Sequence, residues 1–403
     1  MRGQLYCRLL GGSRLIRLSR PLLLCMLASE TWFVTMTATH AGAASTSGWT
    51  IQSTPNPAGE TDSELDGVSC PAAKVCIAVG QYTTSGVART LSERWNGKRW
   101  KVEATPNPAG AKYSSLVGIS CISKRACAAV GMWQNSSGDY LTLVERWNGK
   151  GWSIQPSPTP SGGGEAFLIG VSCATPTACI AVGDHGNPGN VFTEAWDGTK
   201  WSIQSTPSLN TSDSDFQAVA CSSATACTAV GFGLNTAGGA PYTLAERWDG
   251  SSWTVQPTLN PSGSTGSFFD GVACPSATAC IATGSYSNGS TQLTLAEVFD
   301  GTSWAIVPTP NASAGPAGNM LEGVACTAAT ACTTVGFYFN NSRPLPLAEA
   351  WNGTDWAIQS VPDPPDSTGT LLLRVACTAV IACTAVGTYN NGSGQSTLVE
   401  RHT

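Results

Sequence analysis

Hydrophobic and polar positions repeat in a fixed pattern along most of the chain. In the first complete repeat, two apolar segments meet at a pair of cysteines, and Leu91, Glu93 and Trp95 then stand at alternate positions. Side chains that alternate with a period of two residues are typical of β-strands. The repeat therefore predicts four short strands, at residues 65–70, 76–80, 90–95 and 100–104.

Fourteen of the 16 cysteines, all except Cys7 and Cys25, fall into seven pairs with five residues between the two members. The first members of successive pairs are 48 to 53 residues apart, a period typical of repeat architectures. Zinc sites favour shorter spacings and add histidines, but after residue 44 the chain contains only His185 and His402. We expect no metal site and seven local disulfides: Cys70 with Cys76, Cys121 with Cys127, Cys173 with Cys179, Cys221 with Cys227, Cys274 with Cys280, Cys326 with Cys332, and Cys377 with Cys383.

The first and last segments of the repeat region indicate how the repeats are arranged. Asn96-Gly97 predicts a two-residue hairpin turn, and four antiparallel strands per repeat are the content of one propeller blade. The last repeat ends after its third strand and lacks a fourth, whereas the segment around Trp49 reads as a fourth strand without the other three. Pairing of these two segments would close a ring and leave no exposed sheet edge. We predict an all-β, seven-bladed β-propeller whose last blade is closed by the N-terminal strand.

The first 44 residues differ from the rest. Five arginines precede an apolar stretch at 21–38 and the small residues Ala41-Gly42-Ala43. This order is typical of a cleaved signal peptide; an uncleaved membrane anchor and a misassigned start are the alternatives. We therefore expect a leader at 1–44, a propeller at 45–403, and a secreted or cell-envelope location, where disulfides persist.

Charge narrows the class of partner. The net charge is −5, and because the leader holds five Arg and one Glu, the remainder carries about −9. Nucleic-acid binding requires a basic face. We expect no nucleic-acid partner, and membrane contact only through the leader if it is retained.

The segment between the third and fourth strands resembles a known motif. It reads Trp-[Asn/Asp]-Gly-x-x-Trp and begins at Trp95, Trp147, Trp196, Trp248, Phe299 and Trp351. It is similar to the Asp-box (BNR) hairpin of sialidase-type propellers, although Glu replaces the Ser or Thr that opens an Asp box. The chain after the leader also resembles exported bacterial propeller proteins with Cys-paired AVG and ERWNG repeats. That resemblance implies the fold and no particular activity.

Residues present in every repeat are expected to serve the fold, since a catalytic site needs asymmetry. The second Trp of each motif, with Trp49, is expected between blades, and His402 takes the place of a first Trp. Buried carboxylates need partners, so we expect inter-blade ion pairs between the repeated Glu and Arg94, Arg146, Arg247 and Arg401. Ala195, Val298 and Ala350 interrupt the arginine series, so backbone amides or hydroxyls are expected to serve in those three blades. The glutamates are Glu93, Glu145, Glu194, Glu246, Glu297, Glu349 and Glu400.

Residues that differ between repeats fall after the second and fourth strands, on one rim of the predicted ring. Loops on a rigid scaffold commonly carry recognition. The candidate ligand-binding residues are Asp66, Asp270 and Glu322 near the first strands, and Tyr82, Trp133, His185, Tyr286, Tyr338 and Tyr389 after the second strands. Near the channel mouth they could hold a sugar, a cationic peptide or a metal-bridged ligand. The alternative is that the aromatic residues cap the blades and the acids are solvated.

Catalytic motifs are missing from the sequence. There is no P-loop, dinucleotide fingerprint, His-Glu-x-x-His or EF-hand. The sequence therefore indicates an exported non-enzymatic propeller without a cofactor that binds an extracellular or envelope protein or glycan. One alternative is a sialidase-like glycan hydrolase or lyase that uses Asp66, Asp270, Glu322 and Tyr82. Another is an envelope assembly or scaffold factor.

Overall fold

The computed structural model describes residues 48–160, 165–186, 188–209, 211–235, 239–313 and 318–403. Over these ranges the chain forms 28 β-strands in seven four-stranded sheets. The predicted leader, with Cys7 and Cys25, lies outside the described residues. Among the described residues, no helix is long and apolar enough to span a membrane.

Strands β1 to β28 are numbered along the chain and grouped into blades. Blade 1 contains β2 Asp62–Ala72, β3 Val75–Thr84, β4 Val87–Trp95 and β5 Trp100–Val102. Blade 2 contains β6 Tyr113–Ser123, β7 Ala126–Gln134, β8 Tyr140–Trp147 and β9 Trp152–Gln155. Blade 3 contains β10 Ala166–Thr175, β11 Ala178–His185, β12 Asn190–Trp196 and β13 Trp201–Gln204. Blade 4 contains β14 Thr211–Ser223, β15 Ala226–Asn235, β16 Pro241–Trp248 and β17 Trp253–Gln256.

The remaining blades follow the same plan. Blade 5 contains β18 Gly266–Ser276, β19 Ala279–Ser287, β20 Gln292–Phe299 and β21 Trp304–Val307. Blade 6 contains β22 Asn319–Ala328, β23 Ala331–Asn340, β24 Arg343–Trp351 and β25 Trp356–Gln359. Blade 7 contains β26 Gly369–Ala379, β27 Ala382–Asn390 and β28 Gln395–His402, with β1 Trp49–Gln52 as its fourth strand.

The ring closes as predicted. β1 pairs antiparallel with β28, with Trp49 opposite His402 and Gln52 opposite Val399. The first strands of neighbouring blades contact one another in a closed cycle, and the fourth strand of each sheet is its outer edge. The seven-bladed β-propeller closed by the N-terminal strand is therefore confirmed.

Apolar clusters join each blade to the next. Between blades 7 and 1, Leu65 and Trp100 pack with Val386 and Val399. Every second Trp of the motif is at most 8 % exposed, and the indole N–H of Trp152 donates across the blade boundary to Ser92 Oγ at 3.1 Å. The second Trp series therefore belongs to the inter-blade core. His402 packs at 5.4 Å from the Trp49 ring and fills an aromatic position.

One face of the ring, which we call the turn face, carries the turns between first and second strands and between third and fourth strands. The first kind has two residues between strands in all seven blades, and the second kind has four in blades 1 to 6.

A disulfide spans each turn of the first kind, and the second cysteine of every pair is buried at the start of a second strand. All seven predicted disulfides are present, with S–S distances of 2.00 to 2.09 Å. They join Cys70 to Cys76, Cys121 to Cys127, Cys173 to Cys179, Cys221 to Cys227, Cys274 to Cys280, Cys326 to Cys332, and Cys377 to Cys383. The buried members are Cys76, Cys127, Cys179, Cys227, Cys280, Cys332 and Cys383, each at most 5 % exposed. They pack in the inter-blade clusters and serve the fold, not a binding site.

The Asn-Gly turn is longer than the sequence predicted. Trp95 pairs with Trp100, so residues 96–99 form a four-residue turn. Asn96 Oδ1 accepts the backbone N–H groups of Lys98 and Arg99 at 3.0 and 3.1 Å, and Gly97 has a φ of 90°. The prediction of a two-residue turn is wrong because this side-chain cap stabilises the wider turn.

The opposite face, which we call the loop face, carries the remaining connections. Those between second and third strands have two to five residues, and those between blades have six to eleven. Length variation is therefore confined to the loop face, as the sequence indicated.

The repeated glutamates are buried between blades. Among the described residues the expected arginine partners are missing, whereas the expected hydroxyl and backbone-amide donors are found in two blades. All seven are 0 % exposed, and in the described part of the chain none pairs with an Arg. In blade 3, Ser157 Oγ lies 3.0 Å from both carboxylate oxygens of Glu194. In blade 5, the Leu259 N–H donates to Glu297 Oε2 at 3.1 Å. Both donors come from the preceding blade, so these contacts do join blades.

Burial shifts the titration of these carboxyls. It raises the pKa of Glu246 to about 8 and that of Glu297 to about 7. Glu246 has no hydrogen-bond partner among the described residues. A protonated carboxyl avoids the cost of a buried charge, which explains why no Arg is required.

The arginines join blades in another way. Arg146, Arg247 and Arg401 lie 4.5, 4.4 and 4.9 Å from the centres of Trp196, Phe299 and Trp95 in the following blade. Each also donates to a turn carbonyl of that blade. Arg94 instead pairs with Glu103 in its own blade at 3.6 Å. The predicted Arg–Glu clamps are therefore wrong: Arg stacks on an aromatic ring of the next blade.

Candidate functional site

The first strands surround a narrow central cavity of about 110 Å³. Glycines and valines of these strands form most of its wall, among them Gly67, Val68 and Gly118. The wall is tight because a Cβ on Gly118 would lie 2.6 Å from the carbonyl oxygen of Ile169. Sites for small molecules usually offer about 300 to 1,000 Å³. A ligand of that size would therefore bind at the rim of the ring, outside the channel.

A β-bulge interrupts the first strand of every blade. In blade 1 the pairing shifts between Leu65 and Gly67, so Asp66 is the extra residue. The equivalent bulged residues in the other blades are Val117, Ile169, Gln217, Asp270, Glu322 and Leu373. A Cβ on Gly80, opposite the bulge, would lie 2.0 Å from the Glu64 carbonyl oxygen. The three predicted acids therefore share one bulge position, where a side chain is re-aimed.

Asp66 belongs to a buried polar cluster between blades 1 and 2. It is 2 % exposed, and nearby Gln81 Nε2 donates to Glu64 Oε1 at 2.6 Å. Burial, and then the charges of Glu64 and Asp66, raise the pKa of Tyr113 above its usual range. The Tyr113 phenol therefore keeps its proton and can act as a donor. Glu64, Gln81 and Tyr113 were not among the predicted site residues. Polar residues at the starts of first strands were the available signal for Glu64 and Tyr113, whereas Gln81 lies on a second strand.

The other predicted acids have separate surroundings. Arg374 lies 3.7 Å from Glu322 Oε2 and donates to the Glu322 carbonyl at 3.0 Å. Asp270 is half-buried at its bulge. In blade 4, the bulged Gln217 donates to Asp215 Oδ2 at 2.7 Å. The fold brings these residues to one end of the ring in several small networks, and we see no single catalytic cluster among the described residues.

Acidic residues predominate on the loop face. At or beside the starts of first strands stand Asp62, Glu64, Asp66, Glu165, Asp213, Asp215, Asp270 and Glu322, and Asp184 stands near the end of a second strand. The described cations of this face and of the channel are Arg89, Lys112, Arg343 and Arg374, and each donates to a carbonyl of the protein. The loop face therefore carries an excess of acidic residues, of which Glu64, Asp66 and Asp184 are buried.

The predicted aromatic residues do not converge on the cavity. Tyr82, Trp133, Tyr286 and Tyr389 lie on second strands and pack against the inter-blade clusters. The second strand stands one position further from the axis than the first strand that carries the acids, so the aromatic residues and the acids lie on neighbouring strands. All four are buried only in part or border exposed loop residues, and their role in binding stays a prediction.

The two other candidates also lie on second strands. The His185 ring packs edge-on at 5.7 Å from Phe192, and burial lowers its pKa. Tyr338 is half-buried on β23. Among the described residues, no group of three or more His, Cys, Asp or Glu side chains could hold a metal ion.

Comparisons with known proteins find relatives by structure. No family model and no curated protein matches the chain. YCF48 bound to D1 peptide superposes with a TM-score of 0.52 and 10 % identity, covering 90 % of this chain and 98 % of that one. A PL25 ulvan lyase bound to a GlcA(1-4)Rha3S saccharide superposes with a TM-score of 0.55 and 8 % identity, covering 84 % and 94 %. At such identities the likeness shows the propeller fold alone.

Proposed function

We propose that the protein is a non-enzymatic propeller that holds a cationic segment of an extracellular or envelope protein on its acidic loop face. The observation that carries this proposal is the concentration of carboxylates around the channel mouth, on the face where loop length varies. Like charges held together by a rigid scaffold create a field that attracts and orients an oppositely charged ligand.

Two features of the rim support a peptide ligand. The acids stand on first strands, which the ring holds rigidly, and the neighbouring loops differ in length from blade to blade. A long segment can therefore contact several blades at once without entering the narrow channel. Among proteins of this fold, YCF48 is bound to a peptide.

A glycan ligand is the second candidate, favoured by the partly exposed aromatic rings of Tyr82, Trp133 and Tyr286 at the same rim. A glycan hydrolase or lyase receives less support. Sialidase-type chemistry uses arginines to hold the substrate carboxylate, but Arg343 and Arg374 are engaged with Asp363 and Glu322. Assembly or scaffold activity at the envelope is compatible with the same peptide-binding surface.

Binding of short peptides to charge variants tests the proposal. The loop-face variant, Asp215→Asn plus Asp270→Asn, removes two charges while keeping acceptor oxygens. The matched control is Asp249→Asn plus Asp300→Asn, because it removes two charges from the turn face at positions where blades 1, 2 and 6 already have Asn. A lysine-rich decapeptide, its glutamate-rich counterpart and a glycan array are the probes.

We expect the lysine-rich peptide to bind, with an affinity that falls as salt rises. The loop-face variant should weaken it about thirtyfold, since each of the two charges contributes roughly 1 kcal/mol at about 4 Å in water. The control should change it less than twofold. Equal effects of the two variants, or no binding of the cationic peptide, would refute the proposal, and turnover of an arrayed glycan would show an enzyme instead.

A further inference from the structure

The turn face carries a charge asymmetry that the repeats do not require. In blades 1 to 3 its turns hold seven exposed cations, which we call the basic crescent: Lys74, Lys98, Arg99, Lys124, Arg125, Lys150 and Lys200. One acid, Asp197, stands among these turns. In blades 4 to 6 the corresponding turns contain no Lys or Arg and include Asp249, Asp300 and Asp355. Within the described residues, no cation of the basic crescent forms an ion pair.

These cations have no structural duty that a smaller residue could not perform. The side chains of Lys74 and Arg125 cover Gly97 and Gly149 of the neighbouring turn, and in blades 3 to 6 a threonine covers the equivalent glycine. Lys98 and Lys150 correspond to Ser251 and Thr302 in blades 4 and 5. The same turns form in blades 4 to 6 without positive charge at these positions, so the positive charge in blades 1 to 3 is not explained by the fold.

An exposed apolar pair borders the basic crescent. Val380 and Ile381 form the corresponding turn of blade 7 and are 63 % and 57 % exposed. Blade 7 adjoins blade 1 in the ring, so the pair lies next to the turn that carries Lys74. Because all turns of one kind have the same length, this face is even, without the projecting loops of the opposite face.

The chain also leaves the ring on the turn face. Trp49 pairs with His402 at the turn-face end of blade 7, so the segment that precedes Trp49 joins the ring there. The sequence predicts that this segment contains the leader.

We propose that the basic crescent, together with Val380 and Ile381, docks the propeller on the surface of an anionic lipid bilayer. The cations face the lipid phosphates and the apolar pair enters the interfacial layer, as in other peripheral proteins that combine basic and apolar contacts. A soluble polyanion would match the charge but would leave the apolar pair in water. Docking in this orientation turns the acidic loop face away from the membrane. The inference does not depend on the ligand of the loop face.

Vesicle sedimentation tests this proposal. The probes are vesicles of phosphatidylcholine with and without 30 mol % phosphatidylglycerol, at about 0.1 M salt. The full chain is compared with the crescent variant, Lys98→Gln plus Lys150→Gln, which removes two charges from the basic crescent. Lys112→Glu changes the net charge by the same amount on the loop face and is the matched control, and every variant keeps the same leader.

We expect the wild type to bind the anionic vesicles more tightly than the neutral ones. The crescent variant should weaken that binding by roughly tenfold or more, since each basic residue near an anionic surface contributes about a fivefold factor. Lys112→Glu should change it less than twofold. The apolar variant, Val380→Ser plus Ile381→Ser, should weaken binding to vesicles several-fold while leaving binding to dextran sulfate unchanged.

Three outcomes would overturn the proposal. The first is equal binding to neutral and anionic vesicles, and the second is an equal loss in the crescent variant and in Lys112→Glu. The third is tight binding to dextran sulfate together with no effect of the apolar variant on vesicles, which would identify a soluble polyanion as the partner. Thermal unfolding of the crescent variant should match the wild type, because Ser and Thr occupy the equivalent lysine positions in other blades.

Discussion

Glu246 allows a direct test of the buried carboxyl ring. Its side chain is 0 % exposed, and neither carboxylate oxygen has a partner among the described residues. Burial raises its pKa from 4.5 to about 8. Below pH 4.5 the folded and unfolded states both hold the proton. As pH rises from 4.5 to 8 the unfolded state releases the proton and the folded state keeps it, so the fold loses stability over that window.

Glu246→Gln removes this pH dependence with little change of shape, since an amide stays neutral and resembles a protonated carboxyl. The full shift corresponds to about 5 kcal/mol at 1.36 kcal/mol per pKa unit, and admission of water to the site reduces what is measured. We expect the variant to match the wild type at pH 4.5 and to exceed its unfolding free energy by about 2 kcal/mol at pH 8. Guanidinium unfolding followed by Trp fluorescence at pH 4.5, 6, 7 and 8 measures the difference.

Two further variants, one with a smaller pKa shift and one at a partly exposed residue, serve as comparisons for Glu246→Gln. Glu297, which accepts a hydrogen bond from the Leu259 N–H, has a pKa raised only to about 7. The gain in unfolding free energy of Glu297→Gln over the wild type should therefore level off about one pH unit lower than that of Glu246→Gln. Glu103→Gln, at a partly exposed residue, is the control and should change stability by less than about 1 kcal/mol at any of these pH values. A stability difference for Glu246→Gln that stays flat or falls between pH 4.5 and 8 would refute the reasoning.

Two other predictions concern the backbone and the disulfides. Gly131→Ala places a Cβ 2.0 Å from the Ser115 carbonyl oxygen and should cost more than about 3 kcal/mol of unfolding free energy, because the backbone must move. The control is Gly151→Ala, where a Cβ meets nothing within 4 Å. Equal melting temperatures of the two variants would contradict the argument that the bulge requires glycine opposite it. Replacement of both Cys121 and Cys127 by Ser opens one short loop and should cost about 2 kcal/mol by denaturant unfolding. Loss of the whole fold on that change would show that the disulfides do more than secure local hairpins.

The sequence was sufficient to predict the fold because its signals repeat. The period of the cysteine pairs, the Trp motif and the unmatched strands at Trp49 and Val399 together specify seven closed blades. The bulge at Asp66 was missed although it leaves a mark in the alternation: Leu65 and Val68 pack in the same cluster but stand three positions apart, because the bulge adds one residue between them. The sequence also placed Tyr82 and Trp133 near the channel, but pairing puts them on second strands.

The interaction partners of buried side chains were harder to predict from the sequence than the positions of those side chains in the blades. Burial of Glu93 and its equivalents was foreseen, but the sequence does not show that a raised pKa removes the need for an arginine. The lysines of the turn face were visible from the start. They are not present in every repeat, and comparison of equivalent turns separates the charge of Lys98 and Lys150 from the turn itself.

The pairing of β1 with β28 has a consequence for biogenesis. During synthesis β1 emerges early, yet its partner is made roughly 340 residues later. Each hairpin can form from neighbouring sequence, whereas this one junction has to wait for the final blade. Until then Trp49 has no place to pack and Trp100 lacks its contacts with Val386 and Val399, so a ribosome-bound chain should bury these two tryptophans last.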